Sequence, residues 1–268
     1  MDYKLIAVDM DGTFLNSEKK ISAKNEKAMR DCLAAGKIFT VSTGRPLPGV
    51  THIVDMIDAD LPFIVYDGAM VVTTKSNRVL YENMLSGELA AEVVRQGNAR
   101  ETTVFVWSGG DMYVSSLNKH VELYSTLLND VKPNIVDNLE EIAKNGATKV
   151  VWRDEPTKIS QFKEELNPLF TGKLNCHLSD PNLLEFVDIN VSKAAALQKI
   201  CEHFGIKREK TIAVGDNFND ISMIDYAGLG CAMDNAPQEV KNIADYVTLS
   251  NDEDGVAEVI CKFLVTQE

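Results

Sequence analysis

The sequence predicts an α/β fold, a parallel sheet flanked by helices and interrupted by a long α+β insertion. Three observations predict it. Short uninterrupted apolar runs that end in acid or glycine occur near both ends of the chain. Capped, helix-length segments separate them. Between residues 83 and 189 this rhythm gives way to strand pairs joined by tight turns, such as Ser108-Gly109-Gly110-Asp111. With 268 residues the chain exceeds one ordinary domain. The expected division is a first core part at 1–82, an inserted domain at 83–189 and a second core part at 190–268.

Leu5–Val8 leads into Asp9 and reads as a buried strand of the parallel type. Ser22 is placed to cap a helix with Met29, Cys32 and Leu33 at i, i+3 and i+4, and Gly36 stops it. Ile38–Val41 is the second strand. The turn Thr43-Gly44-Arg45-Pro46 follows, with Pro46 suited to a first helical turn. Phe63–Tyr66 is the third strand, closed by Asp67-Gly68. This order implies right-handed crossovers in a parallel sheet. Val71–Thr73 and Val79–Tyr81 then read as a small hairpin beside it.

Within the insertion, helices are expected at Ser86–Gln96, near His120–Leu128 and at Lys158–Phe170. Strands are expected at Thr103–Trp107, Met112–Ser115, Lys149–Trp152, Leu174–His177 and Leu184–Val187. The α/β rhythm resumes where Ser192 caps a helix running to Phe204 and ended by Gly205. Thr211–Val214 is a buried strand that delivers Gly215-Asp216, and short αβα units continue to Leu264.

A hydrophobic fraction of 45% with 25% charged residues suits a chain with a sizeable core. The formal net charge of -13 argues against nucleic acid and anionic lipid as partners. An anionic substrate would therefore need particular Lys and Arg residues rather than a basic face. The cysteines (Cys32, Cys176, Cys201, Cys231 and Cys261) are odd in number and form no CxxC, which fits reduced thiols in the cytoplasm. The first apolar run is too short for a signal peptide, and no stretch approaches the ~18 apolar residues of a membrane span. Nothing points to a protein partner.

Asp9-Met10-Asp11-Gly12-Thr13 sits at the carboxyl end of the first strand, where sites form in open α/β sheets. Two carboxylates at i and i+2 suit covalent phosphoryl chemistry, one as nucleophile and the other as proton donor and acceptor. The same run also reads as a polar strand-to-helix turn. Thr43 at the end of the second strand offers a hydroxyl and amides to phosphoryl oxygens, or is simple turn chemistry. Lys193, at the start of a helix, faces against the helix dipole and so suits a nearby anion, or it lies on the surface. Asp216, Asn219 and Asp220 return to one face of a turn, which reads as a magnesium site supplied by the carboxylates or as an N-capping cluster.

Together and in this order, the four pieces resemble the haloacid dehalogenase superfamily, and within it the Cof-type sugar-phosphate phosphatases. Asp9-Met10-Asp11-Gly12-Thr13-Phe14-Leu15 resembles motif one. Ser42-Thr43-Gly44-Arg45-Pro46 resembles motif two, Val191-Ser192-Lys193 motif three, and Gly215-Asp216-x-x-Asn219-Asp220 with Met223 motif four. The later Ala232-Met233-x-Asn235-Ala236 also fits. The resemblance implies a Rossmann-like core with an inserted α+β cap of the C2B type, acting on a small phosphorylated metabolite with Mg²⁺. It implies Asp9 as nucleophile and Asp11 as general acid/base. Met10, Thr43, Gly44, Lys193 and Asn219 would hold the phosphoryl group, and Arg45 would reach substrate. The metal would lie with Asp9, the Asp11 backbone carbonyl, Asp216 and Asp220, the last of which binds it or orients its shell.

Two positions depart from the family pattern. Ala194 stands where Gly usually follows the motif-three Lys, and Asp67 where Asn usually follows the third strand. Asp67 is read either as a carboxylate that repels or re-aims an anionic substrate or as an ordinary turn residue. His52, His120, His177 and His203 lack metal-ligand spacing, and Trp107 and Trp152 read as packing on the insertion's strands. Three rivals make separate predictions. A phosphomutase needs a bisphosphate activator, a receiver domain holds its phosphate for a long time, and a sugar-phosphate sensor binds without turnover.

Overall fold

The computed structural model describes residues 2–50, 53, 59–128 and 130–265. The chain forms two compact units, one of residues 1–43, 58–81 and 192–268 and the other of 44–57 and 82–191. Strands and helices are numbered along the whole chain.

In the first unit, β1 (Leu5–Asp9) is buried at every residue. It lies between β2 (Ile38–Ser42) and β12 (Thr211–Gly215), parallel to both. β3 (Pro62–Val65), β4 (Met70–Thr73) and β5 (Val79–Glu82) extend the sheet on one side. β13 (Leu229–Ala232) and β14 (Tyr246–Val247) extend it on the other, giving the order β14-β13-β12-β1-β2-β3-β4-β5. Pairing is parallel from β14 to β3, and β4 runs antiparallel to β3. β1 therefore sits where the chain's winding reverses direction, the place at which open sheets leave a crevice at their carboxyl ends.

Burial on both faces explains why these strands are continuous apolar runs. On one face Leu5, Ala7, Ile64 and Ala213 pack against Ala196, Leu197 and Ile200 of the Lys193–Phe204 helix and against Met223. Ile6, Val8, Phe39 and Val41 are equally buried at the alternate positions. Each such side chain contributes roughly 1.5–3 kcal/mol by leaving water. The predicted caps form: Ser22 Oγ accepts from the Asn25 amide at 3.0 Å ahead of α1 (Ala23–Ala34), and Ser192 Oγ from the Ala195 amide at 3.1 Å. Each cap is worth about 1 kcal/mol. The third strand stops at Val65, one residue short of the expected end, because Tyr66 turns into the left-handed region at φ 53°.

The second unit holds a sheet of order β10-β11-β9-β6-β7-β8. Its strands are β6 (Thr103–Ser108), β7 (Asp111–Val114), β8 (Asn134–Ile135), β9 (Lys149–Arg153), β10 (Leu174–Asp180) and β11 (Leu183–Asp188). Period-two alternation sends Val104, Val106, Val150, Trp152, Leu184 and Phe186 to one face. There they meet α2 (Gly87–Ala99), α4 (Leu139–Ala143) and α5 (Pro156–Phe170). α3 (Lys119–Leu127) packs Tyr124 against Phe105 at 4.5 Å between ring centroids. Trp152 is a core residue, 5.0 Å from the Phe186 ring and 6.0 Å from that of Phe162. The face that carries Lys149 and Glu185 is polar in part. These two form a buried ion pair at 2.6 Å, and Ser179 Oγ donates to the other Glu185 oxygen at 2.8 Å. A buried pair of this kind holds a geometry more than it adds stability.

The α/β class with a parallel-sheet core and an α+β cap is therefore present. β8 and α4 carried no readable sequence signal, since two and five residues are too short to show a period. All five cysteines are free thiols. Among the described residues no helix is long and apolar enough to cross a membrane. His52 lies outside the described residues.

Candidate active site

Strand register brings the predicted residues together. Asp9 pairs in register with Ser42, and Val8 with Val214. Asp9, Thr43 and Asp216 thus emerge at adjacent carboxyl ends of β1, β2 and β12. The loop after β1 curls back on itself, the amides of Phe14 and Leu15 donating to the carbonyls of Asp9 and Met10. Met10 is fully buried beneath it.

Lys193 is the hub of the site. It opens α6 (Lys193–Phe204), its side chain is fully buried, and its Nζ lies 2.5 Å from Asp9 Oδ1 and 2.5 Å from Asp220 Oδ1. It also donates to the Ser42 carbonyl at 3.1 Å. Burial works against the ammonium charge, but Asp220 and Asp9 outweigh it and hold the pKa above its ordinary value. The Asp9 carboxyl is pushed well up, first by burial and then by Asp220, with Lys193 opposing. Asp216 is pushed up to about 6, mainly by burial, although the Thr13 hydroxyl donates to its Oδ1 at 2.6 Å.

Asp9, Asp216 and Asp220 each present a carboxylate oxygen within 4.8 Å of the others, an arrangement that could hold a metal ion. Asp220 has both oxygens engaged: Oδ1 takes Lys193, and Oδ2 takes the amides of Asp216 and Asn217 at 3.0 Å each. Asp216 Oδ2 faces Gly12, where a Cβ would come within 2.4 Å. Gly12 also has φ +82°. Gly12→Ala is therefore expected to cost about 2 kcal/mol in strain and to push Asp216 aside. Thermal unfolding should show a Tm lower by roughly 4–8 °C.

The remaining predicted residues take other places. Asn219 Nδ2 donates to Asp67 Oδ1 at 3.1 Å. Asp11 pairs with the exposed Lys19 at 3.0 Å. Thr43 is buried, and its amide donates to the Ile64 carbonyl. Gly44 and Arg45 fall in the second unit, where the Gly44 carbonyl accepts from Lys149 at 3.0 Å and Arg45 Nη1 donates to the Gly49 carbonyl at 3.4 Å. Sequence reasoning gave no role to Thr13 or Lys19. A hydroxyl four residues after Asp9 was a usable hint for the first, and nothing pointed to the second. Asn235 holds the Gly12 carbonyl at 2.8 Å and the Asn251 amide at 3.0 Å, so its segment braces the loop after β1.

Comparisons with known proteins show which family the chain belongs to. The sequence model of the haloacid dehalogenase-like hydrolase family matches residues 6–260. The chain is 34% identical over 260 residues to the 5-amino-6-(5-phospho-D-ribitylamino)uracil phosphatase YcsE of Bacillus subtilis, covering 97% of this chain and 95% of that one. Its structure is similar to that of a haloacid dehalogenase-like hydrolase from Bacteroides thetaiotaomicron, with TM-score 0.87, 32% identity, and 97% and 98% of the two chains covered. A solved sugar phosphatase of subclass IIB is similar at TM-score 0.81 and 25% identity, over 96% and 97% of the two chains. The chain belongs to the haloacid dehalogenase-like hydrolases and is a Cof-type phosphomonoesterase of that superfamily.

Proposed function

We propose that the protein hydrolyses phosphate monoesters of sugars and sugar alcohols, with Mg²⁺, through a phospho-aspartate at Asp9. The observation that carries this is the buried Lys193 ammonium bridging Asp9 and Asp220 beside Asp216 at the carboxyl end of β1. It holds one Asp9 oxygen by charge, at 2.5 Å.

The donor set suits a hard cation. Mg²⁺ takes few carboxylates, several waters and substrate phosphate oxygens. Asp9, Asp216 and the Asp11 backbone carbonyl would hold it, with Asp220 orienting Asp216 and its neighbours through their amides. When bound, it supplies neutralisation of charge on the phosphoryl oxygens and on the clustered carboxylates.

In the first step an Asp9 carboxylate oxygen forms a bond to phosphorus while the bond to the ester oxygen breaks. Asp11 gives its proton to the departing alkoxide. In the second step Asp11 takes a proton from water, and the water oxygen attacks phosphorus. The acyl-phosphate bond breaks, and Asp9 and inorganic phosphate are released. Lys193, Thr43, Asn219 and the Met10 amide hold the phosphoryl oxygens, so that catalysis rests on placement and charge.

The substrate class is drawn from two relatives: one is named for the phosphate ester of a ribityl chain and the other for sugar phosphates. Both leaving groups are polyhydroxylated alcohols. The test is phosphate release from hexose and pentose phosphates, flavin mononucleotide and pyridoxal phosphate, with Mg²⁺ and then with chelator. Turnover that needs Mg²⁺ and favours polyol esters is expected. Undiminished turnover in chelator would remove the metal, and a preference for pyridoxal phosphate would remove the substrate class.

A further inference from the structure

Asp67 is a carboxylate at a position where the family pattern has an amide, and its setting is tightly built. It lies in a run of left-handed backbone: Tyr66 at φ 53°, Asp67 at 57° and Gly68 at 103°. Non-glycine residues hold this conformation at a cost of about 1–3 kcal/mol when their surroundings impose it. Here the Asp67 amide donates to the Thr43 carbonyl at 3.1 Å, and the Ala69 amide to the Tyr66 carbonyl at 3.0 Å. A Cβ on Gly68 would lie 2.2 Å from the Ser192 carbonyl, so only glycine lets the run pass beneath the start of α6. The run therefore ties the end of β2 to the helix that carries Lys193.

The side chain it presents is buried, at 8% exposure, and accepts from Asn219 Nδ2. A carboxylate only accepts hydrogen bonds, whereas a carboxamide has a donor end and an acceptor end. Asp67 thus admits a single orientation of Asn219, with the NH₂ group turned towards it. An asparagine at this position would admit both. Asp67 also adds negative charge close enough to Lys193 to strengthen that residue's hold on its proton.

We propose that Asp67 is a positioning residue: it locks the Asn219 carboxamide with its NH₂ donor available to the phosphoryl group, and its charge weakens retention of free phosphate. The premise is the reading of Asn219 as a phosphoryl contact. Because Asn and Gly both accept left-handed backbone, Asp67→Asn and Asp67→Gly remove the charge, or the whole side chain, without new strain.

The test measures kcat, KM and inhibition by inorganic phosphate for wild type, both Asp67 variants, Asn219→Ala and the double variant Asp67→Gly/Asn219→Ala, all with Mg²⁺. Removing the charge is expected to tighten phosphate inhibition about fivefold in both Asp67 variants. Loss of the lock is expected to lower kcat about tenfold in Asp67→Gly and less in Asp67→Asn. The kcat effect of Asp67→Gly should vanish in the Asn219→Ala background, because both changes break one unit. Additive effects on kcat, or unchanged phosphate inhibition, would overturn the proposal while leaving the phosphatase reading intact. Asn219→Ala indistinguishable from wild type would overturn the premise and the proposal together.

Discussion

Asp9→Asn is expected to abolish phosphate release, with a loss of about 10⁴-fold or more, while the protein stays folded. The substitution keeps the shape of the side chain and the Oδ1 acceptor that Lys193 meets at 2.5 Å. It removes the nucleophilic oxygen. Stability should not suffer. Burial, with Asp220 next, pushes the Asp9 carboxyl well above its ordinary value, so both work against the buried charge that the amide would not carry, and Lys193 keeps its pair with Asp220. The expected Tm is therefore at least that of wild type. Phosphate release and thermal unfolding on the same preparation check both halves. A variant keeping more than about one hundredth of the activity would exclude Asp9 as nucleophile.

Lys193→Met has the opposite profile, losing activity and stability together. Methionine keeps most of the volume and none of the charge. Asp9, Asp216 and Asp220 would remain clustered within 4.8 Å without the ammonium that joins two of them. Breaking a buried pair by removing one partner costs about 3–5 kcal/mol. For a chain of this size that is a Tm lower by roughly 10 °C. The deficit should depend on pH in a stated direction. Asp216 titrates at about 6 in the fold against an ordinary 3.8, so its charge is a burden present above about pH 6. That burden is relieved as pH falls through 6 towards 4. Lys193 opposes the upward shift of both Asp9 and Asp216, so without it these two titrate higher still, and the relief is larger. The Tm gap between variant and wild type should therefore narrow on acidification. A gap that stayed constant with pH would show that Lys193 acts by packing and not by charge.

Much of this site was legible because its chemistry is written in short segments. Asp9 to Thr13 and Gly215 to Asp220 each follow an apolar run, and a buried parallel strand places whatever follows it at the sheet's carboxyl edge. Ser192 and Ser22 cap their helices as local rules require. These are local signals, carried by neighbours in the chain. Long-range partners were not legible. Lys19 reaches Asp11 from a turn with φ 60° that no pattern foretold. Asn235 crosses from the far end of the chain to the Gly12 carbonyl.

The two readings of Asp67 show the boundary most clearly. Residue type alone left it a turn residue or an extra charge near substrate. Its left-handed backbone, its burial and its bond to Asn219 depend on β2, β3 and α6 converging, which their separate segments do not state. Fold class and the placing of acidic segments at the ends of buried strands follow from local pattern and composition. The bridging of Asp9 to Asp220 by Lys193, the engagement of both Asp220 oxygens and the pairing of Asp67 with Asn219 were decided only in three dimensions, because each joins residues whose separation in the chain leaves no periodic trace.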